Sequence, residues 1–377
     1  MQNKAKAIKQ KSRPDYLILG VFGTLLIFGL FTVGTTSFTL SLGQYNNTWS
    51  IFLHQVLMVG IGVGLGIVAY KMPLKILKKI APALFFLNLI LVFLVLIPGI
   101  GIETKGAHRW LNLHLPGLSF QPSEFLKISF ILYLSAWLSW EKKSKKELKQ
   151  GIPLIPFLVV MGILFTGLIL QRDLTTLAII CAVGSLLYFA SKAPFWHYIV
   201  IAFLGGVGFL AFAKLEPYRW NRVISMLNPH LDPLGKGYQL KQATIAIGSG
   251  KIFGVGNEFS FGLSRQKFGF LPESITDSIF AIVGEELGFL GVIFLISLFL
   301  FLCYRGLKLA KNKGQNFEGF LALGITCWIT LQSLANIGGI TGILPLGGIP
   351  LPFFSYGGSH IMAELIGVGL LLNVSKK

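Results

Sequence analysis

The sequence predicts an all-α, polytopic membrane protein of about ten transmembrane helices, and three observations carry that prediction. Hydrophobic residues make up 53% of the 377 and charged residues only 13%, against roughly 25% charged in an ordinary soluble domain. The mean hydropathy is +0.70, more apolar than a water-facing surface tolerates. The apolar residues also fall into runs near the roughly 20 residues that one bilayer crossing needs, joined by short basic connections.

The runs lie at 16–36, 51–70, 80–100, 122–140, 152–170, 174–190, 196–213, 278–303, 319–340 and 358–374. In lipid the backbone must satisfy its own hydrogen bonds, so the runs form helices or a closed barrel. Their length and lack of period-two alternation select helices. Lys4, Lys6, Lys9, Lys11 and Arg13 precede the first run. No small-residue cleavage site is evident and more apolar runs follow, so this segment is expected to remain as the first span. Only Gln171, Arg172 and Asp173 separate the fifth run from the sixth. Cys181, Cys303 and Cys327 all sit inside apolar runs and read as small packing residues, neither a disulfide framework nor a metal set.

The net charge of +18 is a topology signal, and its placement argues against a nucleic-acid surface. With ten spans and the N-terminus inside, 21 of the 33 lysines and arginines fall on the cytoplasmic side. Short external loops hold only Lys105, Arg109 and Arg172, and Lys127 falls within a span. The remaining eight lie in a long external loop at about 214–276, a length that escapes the charge rule. Both termini are therefore expected in the cytoplasm, and residues 1–377 read as one membrane domain. The long loop is rich in glycine and too apolar for disorder. It is expected to form helical and re-entrant pieces at the outer membrane face, since long patternless loops are otherwise uncommon.

Ionisable residues within apolar runs are costly and mark function by default. Six of the 15 acidic residues lie in or at the edge of spans: Glu124, Asp173, Asp277, Glu285, Glu286 and Glu364. In Gln121-Pro122-Ser123-Glu124-Phe125-Leu126-Lys127, proline suits a first helical turn and a spacing of three puts Glu124 and Lys127 on one face. A self-neutralised pair and a substrate-facing pair both fit. Asp277 begins the eighth span, as a helix N-cap or as a functional carboxylate. Glu285 and Glu286 are adjacent within the span, and at least one needs a cation or a backbone donor. Arg109-Trp110 reads either as an interfacial anchor or as a two-pronged grip on phosphate oxygens. The stretch at 347–360 is dense in glycine and proline, including Ser355, Gly357 and Gly358. Such backbone at membrane depth is tolerated where protein buries it or it lines a cavity. His360, at its end, is either a titrating group or a packing residue.

No phosphate-binding Gly-x-x-x-x-Gly-Lys-Ser/Thr run, Gly-x-Ser-x-Gly elbow or His-Glu-x-x-His pair occurs.

Taken in order, the motifs resemble the SEDS family (shape, elongation, division and sporulation), of the FtsW and RodA type. The resemblance runs from 106–110 through Gly117-Leu118-Ser119-Phe120-Gln121-Pro122-Ser123-Glu124 and Lys127 to Asp173-Leu174. It continues with Asn228-Pro229, Asp232-Pro233, Gly237-Tyr238-Gln239-Leu240 and Gln242. It ends with Leu271-Pro272-Glu273, Thr276-Asp277, Ile279-Phe280-Ala281, Glu285-Glu286-Leu287-Gly288 and 350–359. Each motif is modest, but their joint order and spacing is specific.

The resemblance implies a peptidoglycan glycosyltransferase that polymerises lipid II at the outer face of the bacterial cytoplasmic membrane. It implies a class B penicillin-binding protein as partner, within divisome or elongasome membrane assemblies. Asp277 matches the family's catalytic aspartate and is expected to act as general base. Arg109 and Lys127 are expected to clamp the diphosphate, beside Trp110 and Gln121, while Glu124 positions Lys127 or the acceptor sugar. Tyr238, Gln239 and Gln242 are expected along the sugar path. Asp173, Glu285, Glu286, Ser355, Gly357 and Gly358 are expected to shape the cavity. No tightly bound cofactor is implied; a divalent cation at the diphosphate fits, although no ligand cluster demands one.

The pattern is broken in places. Gln171-Arg172-Asp173-Leu174-Thr175-Thr176 stands where Pro-Asp-Leu-Gly-Thr is usual, so Arg172 holds the proline position. Ser278 replaces a phenylalanine, and His360 a small residue. The stretch 262–267 and Leu331-Gln332 lean towards the division branch. A lipid II flippase and a non-catalytic scaffold for the transpeptidase are the competing readings.

Overall fold

The structure, a computed structural model, describes residues 13–104, 106–112, 119–141, 153–215, 232, 235–255 and 266–376. Lys105, Gly117-Leu118, Lys142 to Lys149, Asn228-Pro229, Pro233 and 262–265 lie outside the described residues. A helix occupies each of the ten apolar runs. These are α1 (Tyr16–Tyr45), α2 (Ser50–Lys71), α3 (Leu74–Leu94), α4 (Pro122–Glu141), α5 (Leu154–Leu170), α6 (Leu174–Ala190) and α7 (Phe195–Leu215). After α8 (Lys236–Ser249) come α9 (Ile279–Lys313), α10 (Phe317–Ile340) and α11 (Gly358–Ser375). Six of them, α1, α2, α3, α9, α10 and α11, are long and apolar enough to cross a membrane. The chain is an integral membrane protein. Short helix α8 and a 3-10 turn at Gln266–Phe268 are the described elements of the long connection between α7 and α9.

Helix starts follow local chemistry. The Asp15 carboxylate accepts from the amides of Leu17 and Ile18, and Asn316 accepts from Gly319 at 2.9 Å, satisfying orphan donors of α1 and α10. Pro73 and Pro153 precede α3 and α5 in extended conformation, and Pro122 opens α4.

Three boundaries differ from the sequence expectation. Helix α1 runs on through Thr36, Ser37 and Ser41, all fully buried. The hydroxyls of Thr32 and Thr36 bond carbonyls one turn back, so polar residues that looked like a helix end are absorbed. Helix α3 starts at Leu74, placing Lys75, Lys78 and Lys79 on the helix; long lysine stems can carry their charge to the polar interface. Helix α9 continues to Lys313, beyond the expected 303.

The all-α expectation needs one correction. Residues after α3 form a three-stranded antiparallel sheet, β1 (Gly101–Thr104), β2 (Ala107–Asn112) and β3 (Ser119–Phe120), in that order. The segment is too short to span, and Gly106 at φ +75° closes the first hairpin.

Helix α11 lies at the centre of the bundle, with 83% of its apolar window buried, whereas α9 has only 22% buried. Its closest partner is α2. A Cβ on Gly66 would lie 2.7 Å from the Leu365 carbonyl oxygen, so glycine is what permits this backbone approach. Helices α3 and α4 pack through stacked Phe85 and Tyr133, 4.6 Å between ring centroids. Ile27, Ile155 and Phe203 are more than two-thirds exposed, as expected of a lipid-facing surface.

Polar contacts gather at the two ends of the bundle. At one end the Asp15 amide donates to Ser375 Oγ at 3.0 Å, Arg305 pairs with Asp15, and Asn373 donates to the carbonyls of Ala69 and Met72. The two ends of the described chain therefore meet on one face. The other end carries the candidate site.

Candidate functional site

Asp277 lies in the turns that precede α9. Ser278, not Asp277, occupies the helix boundary, so the N-cap reading of Asp277 does not hold. Its backbone is held from two sides. Asn336, buried on α10, donates to the carbonyls of Asp277 at 2.8 Å and Ile349 at 2.6 Å. Ser355 Oγ donates to the Thr276 carbonyl at 2.6 Å, and the Tyr356 amide donates to the Ile275 carbonyl at 2.8 Å. The glycine-proline segment at 347–357 is thereby sewn to the turns carrying Asp277. The carboxylate itself is half-buried beside Gly348. Gly348 sits at φ +68°, and a Cβ there would lie 3.2 Å from Asp277 Oδ2. Glycine serves both the left-handed turn and the close approach of the carboxylate to the backbone.

The starts of α4, α6 and α11 converge on the same end. Ser123 Oγ donates to Asp173 at 3.0 Å, and Asp173 caps α6 through the amide and hydroxyl of Thr176. The Gln121 amide donates to Ser359 Oγ at 3.0 Å, and Gln121 Nε2 to Ser123 Oγ at 3.1 Å. Thr175 Oγ1 donates to the Gly347 carbonyl at 2.6 Å, which ties α6 to the glycine turn at Asp277. Asp173 thus joins the starts of α4 and α6, and Gln121 is a half-buried part of the same belt.

Glu124 and Lys127 form an ion pair at 2.8 Å, 5% and 3% exposed. Lys127 also donates to Gln332 Oε1 at 3.0 Å, to which Trp328 Nε1 donates at 2.8 Å. Gln332 Nε2 reaches the Pro350 carbonyl at 3.1 Å and Glu364 at 3.3 Å, while Glu364 accepts the Phe353 amide at 2.8 Å. Glu124 thus positions Lys127, whose ammonium is held between Glu124 and Gln332. Both are engaged inside the protein, where an ion pair persists only with its partners in place, and they brace the 350–353 segment behind Asp277.

Gln239 is engaged within the protein in the same way. It is buried on α8, and its Nε2 donates to Ser278 Oγ at 2.8 Å, which donates on to the Pro272 carbonyl at 2.9 Å. It braces the residue next to Asp277, and Ser278 fills its unusual position with hydrogen bonds. Tyr238 and Gln242, on the same helix, are half-buried. Glu285 and Glu286 are buried in the first turns of α9. There Gly288, at φ +65°, interrupts the helix, and residues 251–255 dock through Val255 N to the Glu285 carbonyl at 2.9 Å.

Arg109 and Trp110 lie on β2, each half-buried. Arg109 Nη2 donates to the Arg172 carbonyl, and Arg172 Nη1 donates to the Gly106 carbonyl at 2.9 Å. Helix α2 supports the last part of the glycine-proline segment. Tyr356 Oη lies 3.0 Å from His54 Nδ1, and the Gly357 amide donates to Gln55 at 3.1 Å. Ser355 and Gly357 are thus tied to the segments around them, and Gly358 starts α11 against Met58. His360 is buried. Among the described residues no group of three His, Cys, Asp or Glu is placed to hold a metal ion.

Asn336 and Gln332 were not singled out for the site from the sequence. The signal was present, because two amides four residues apart share one face of an apolar helix. The rule applied to charges in spans extends to amides.

A family model described as "Cell cycle protein", covering FtsW, RodA and SpoVE, matches residues 15–377. The chain is 36% identical over 370 residues to stage V sporulation protein E of Bacillus subtilis (strain 168), covering 97% of this chain and 98% of that one. It is 37% identical over 356 residues to "Probable peptidoglycan glycosyltransferase FtsW" of Coxiella burnetii (strain RSA 493 / Nine Mile phase I), covering 93% of each. Among solved structures, a chain from "Structural coordination of polymerization and crosslinking by a peptidoglycan synthase complex" aligns with TM-score 0.74 and 26% identity, covering 96% of this chain and 97% of that one. The rod shape determining protein RodA of Thermus thermophilus shares the fold, with TM-score 0.68, 22% identity and 96% of each chain covered. With the match running from Asp15 to the last residue, this chain belongs to the FtsW/RodA/SpoVE family.

Proposed function

We propose that this chain is a peptidoglycan glycosyltransferase of the division type, which polymerises lipid II into glycan strands at the outer face of the bacterial cytoplasmic membrane. The observation that carries the reading is the setting of Asp277. Its backbone is locked by Asn336 and Ser355, and its carboxylate lies beside a glycine turn at the end of the bundle away from the chain ends. Relatives named as peptidoglycan glycosyltransferases supply the reaction class.

In this reaction a sugar hydroxyl attacks the anomeric carbon of a lipid-linked sugar. A new glycosidic C–O bond forms as the bond to the diphosphate breaks, and the lipid diphosphate leaves with the electron pair. Asp277 takes the proton of the attacking hydroxyl. Arg109 meets charge growing on the diphosphate, together with a divalent cation where one accompanies the substrate. Ten crossings with both termini in the cytoplasm place Asp277 outside, in keeping with the 21 basic residues assigned to the inner side. A class B penicillin-binding protein is the expected partner; the fold match to a chain of a peptidoglycan synthase complex supports one.

A flippase on this fold needs its intramembrane charges along a path. Glu124, Lys127 and Glu364 are instead bound to one another's partners in the protein interior, which favours surface chemistry. The test is reconstitution in liposomes with lipid II and a candidate penicillin-binding partner, read as glycan strands on a gel and as lipid II translocation. Strands without translocation are expected. Translocation without consumption of lipid II overturns the proposal.

A further inference from the structure

We propose that Arg172, interlocked with Arg109, forms a guanidinium rim that binds the phosphate oxygens of a membrane lipid beside Asp277. The inference deepens the glycosyltransferase reading and rests on it for what the bound lipid does.

Arg172 is exposed in the turn between α5 and α6, at φ +58°. That left-handed conformation is unfavourable for a residue with a Cβ. It is also closed to the proline that the family pattern places here, whose ring fixes φ near −65°. The turn is therefore specific to a chain with another residue at this position, and backbone strain of this kind collects at functional sites.

The two arginines hold each other in place. Arg109 Nη2 donates to the Arg172 carbonyl and Arg172 Nη1 to the Gly106 carbonyl, so the α5–α6 turn and the β1–β2 hairpin form one unit. Each guanidinium has five N–H donors, and these bonds leave several unused. Arg109 Nε is buried without a hydrogen-bond partner. Among the described residues no carboxylate forms an ion pair with either arginine. Two neighbouring cations repel, and an anion with several oxygens relieves that repulsion while accepting paired N–H bonds.

The rim adjoins the reactive end. Asp173, the next residue, binds Ser123, and Thr175 binds Gly347, whose neighbour Gly348 borders Asp277. The phosphate has two possible sources, the diphosphate of a lipid-linked sugar or the headgroup of an anionic phospholipid.

The test uses the full chain in phosphatidylcholine nanodiscs, with undecaprenyl diphosphate and phosphatidylglycerol as separate probes and native mass spectrometry as readout. Arg172→Gly removes the guanidinium and accepts φ +58° freely, so its fold is retained or stabilised. Undecaprenyl diphosphate is expected to bind it about tenfold more weakly than wild type. Arg172→Lys is expected to weaken binding nearly as much, because an ammonium lacks the planar fork. Weakening confined to the diphosphate assigns the rim to the substrate; equal weakening of both lipids assigns it to headgroup phosphate, and either supports the rim. Unchanged binding of both lipids by Arg172→Gly overturns it. The glycosyltransferase reading is judged separately, by whether wild type makes polymer at all.

Discussion

Replacing Asn336 with alanine tests how Asp277 is held. Asn336 is buried, and its amide nitrogen serves two carbonyls, those of Asp277 and Ile349. Its orientation follows from chemistry, since two carbonyl oxygens require donors. Alanine leaves both carbonyls without that donor, at about 1–3 kcal/mol each, so local stability falls by roughly 2–6 kcal/mol before water enters. The larger consequence is geometric, because the segment carrying Asp277 loses its tie to the glycine-proline segment. A catalytic group displaced by about 1 Å loses on the order of a hundredfold in rate. The assay is lipid II polymerisation by folded protein, with KM and kcat separated. A fall in kcat of about ten- to a hundredfold with KM little changed is expected, because Asn336 is buried and acts through the backbone of Asp277 and Ile349. Wild-type kcat in a folded Asn336→Ala protein refutes the clamp.

Other substitutions probe the surroundings. Gly348→Ala puts a Cβ 3.2 Å from the Asp277 carboxylate at φ +68°; a strain of about 1–2 kcal/mol and a rate loss of about tenfold are expected, and an unaffected rate contradicts the crowding. Lys127→Met strands Glu124 inside the protein, at about 3–5 kcal/mol. The double variant Glu124→Gln/Lys127→Met is expected to recover most of that loss in thermal unfolding, and equal melting of single and double variants contradicts the pairing. Gln239→Ala and Ser278→Ala are expected to be non-additive by about 0.5–3 kcal/mol, measured in a double-mutant cycle of unfolding; strict additivity denies the bond between them.

Much of this was legible in the sequence because the bilayer is a severe solvent. Apolar length located ten of the eleven described α-helices, and the rule against charges in lipid drew attention to Glu124, Lys127, Asp277 and the Glu285-Glu286 pair. What it could not supply was orientation. Spacing placed Glu124 and Lys127 on one face, but whether that face met substrate or another helix depended on Gln332 and Glu364, some 200 residues away in sequence. The same holds for Gln239, whose partner Ser278 comes from a distant element. The sheet at 101–120 was missed because short strands leave little periodic signal beside long apolar runs. The end of α1 was missed because Thr32 and Thr36 bond within the helix and hide its continuation behind polar letters.

The most direct measurement compares wild type with Asp277→Asn, both purified, equally folded and bound to the same penicillin-binding partner, for conversion of lipid II to polymer. Asparagine keeps the shape and the backbone contacts to Asn336 but cannot take a proton at neutral pH. Polymer from wild type and none above background from Asp277→Asn is the predicted result. Equal polymer from both contradicts Asp277 as the base.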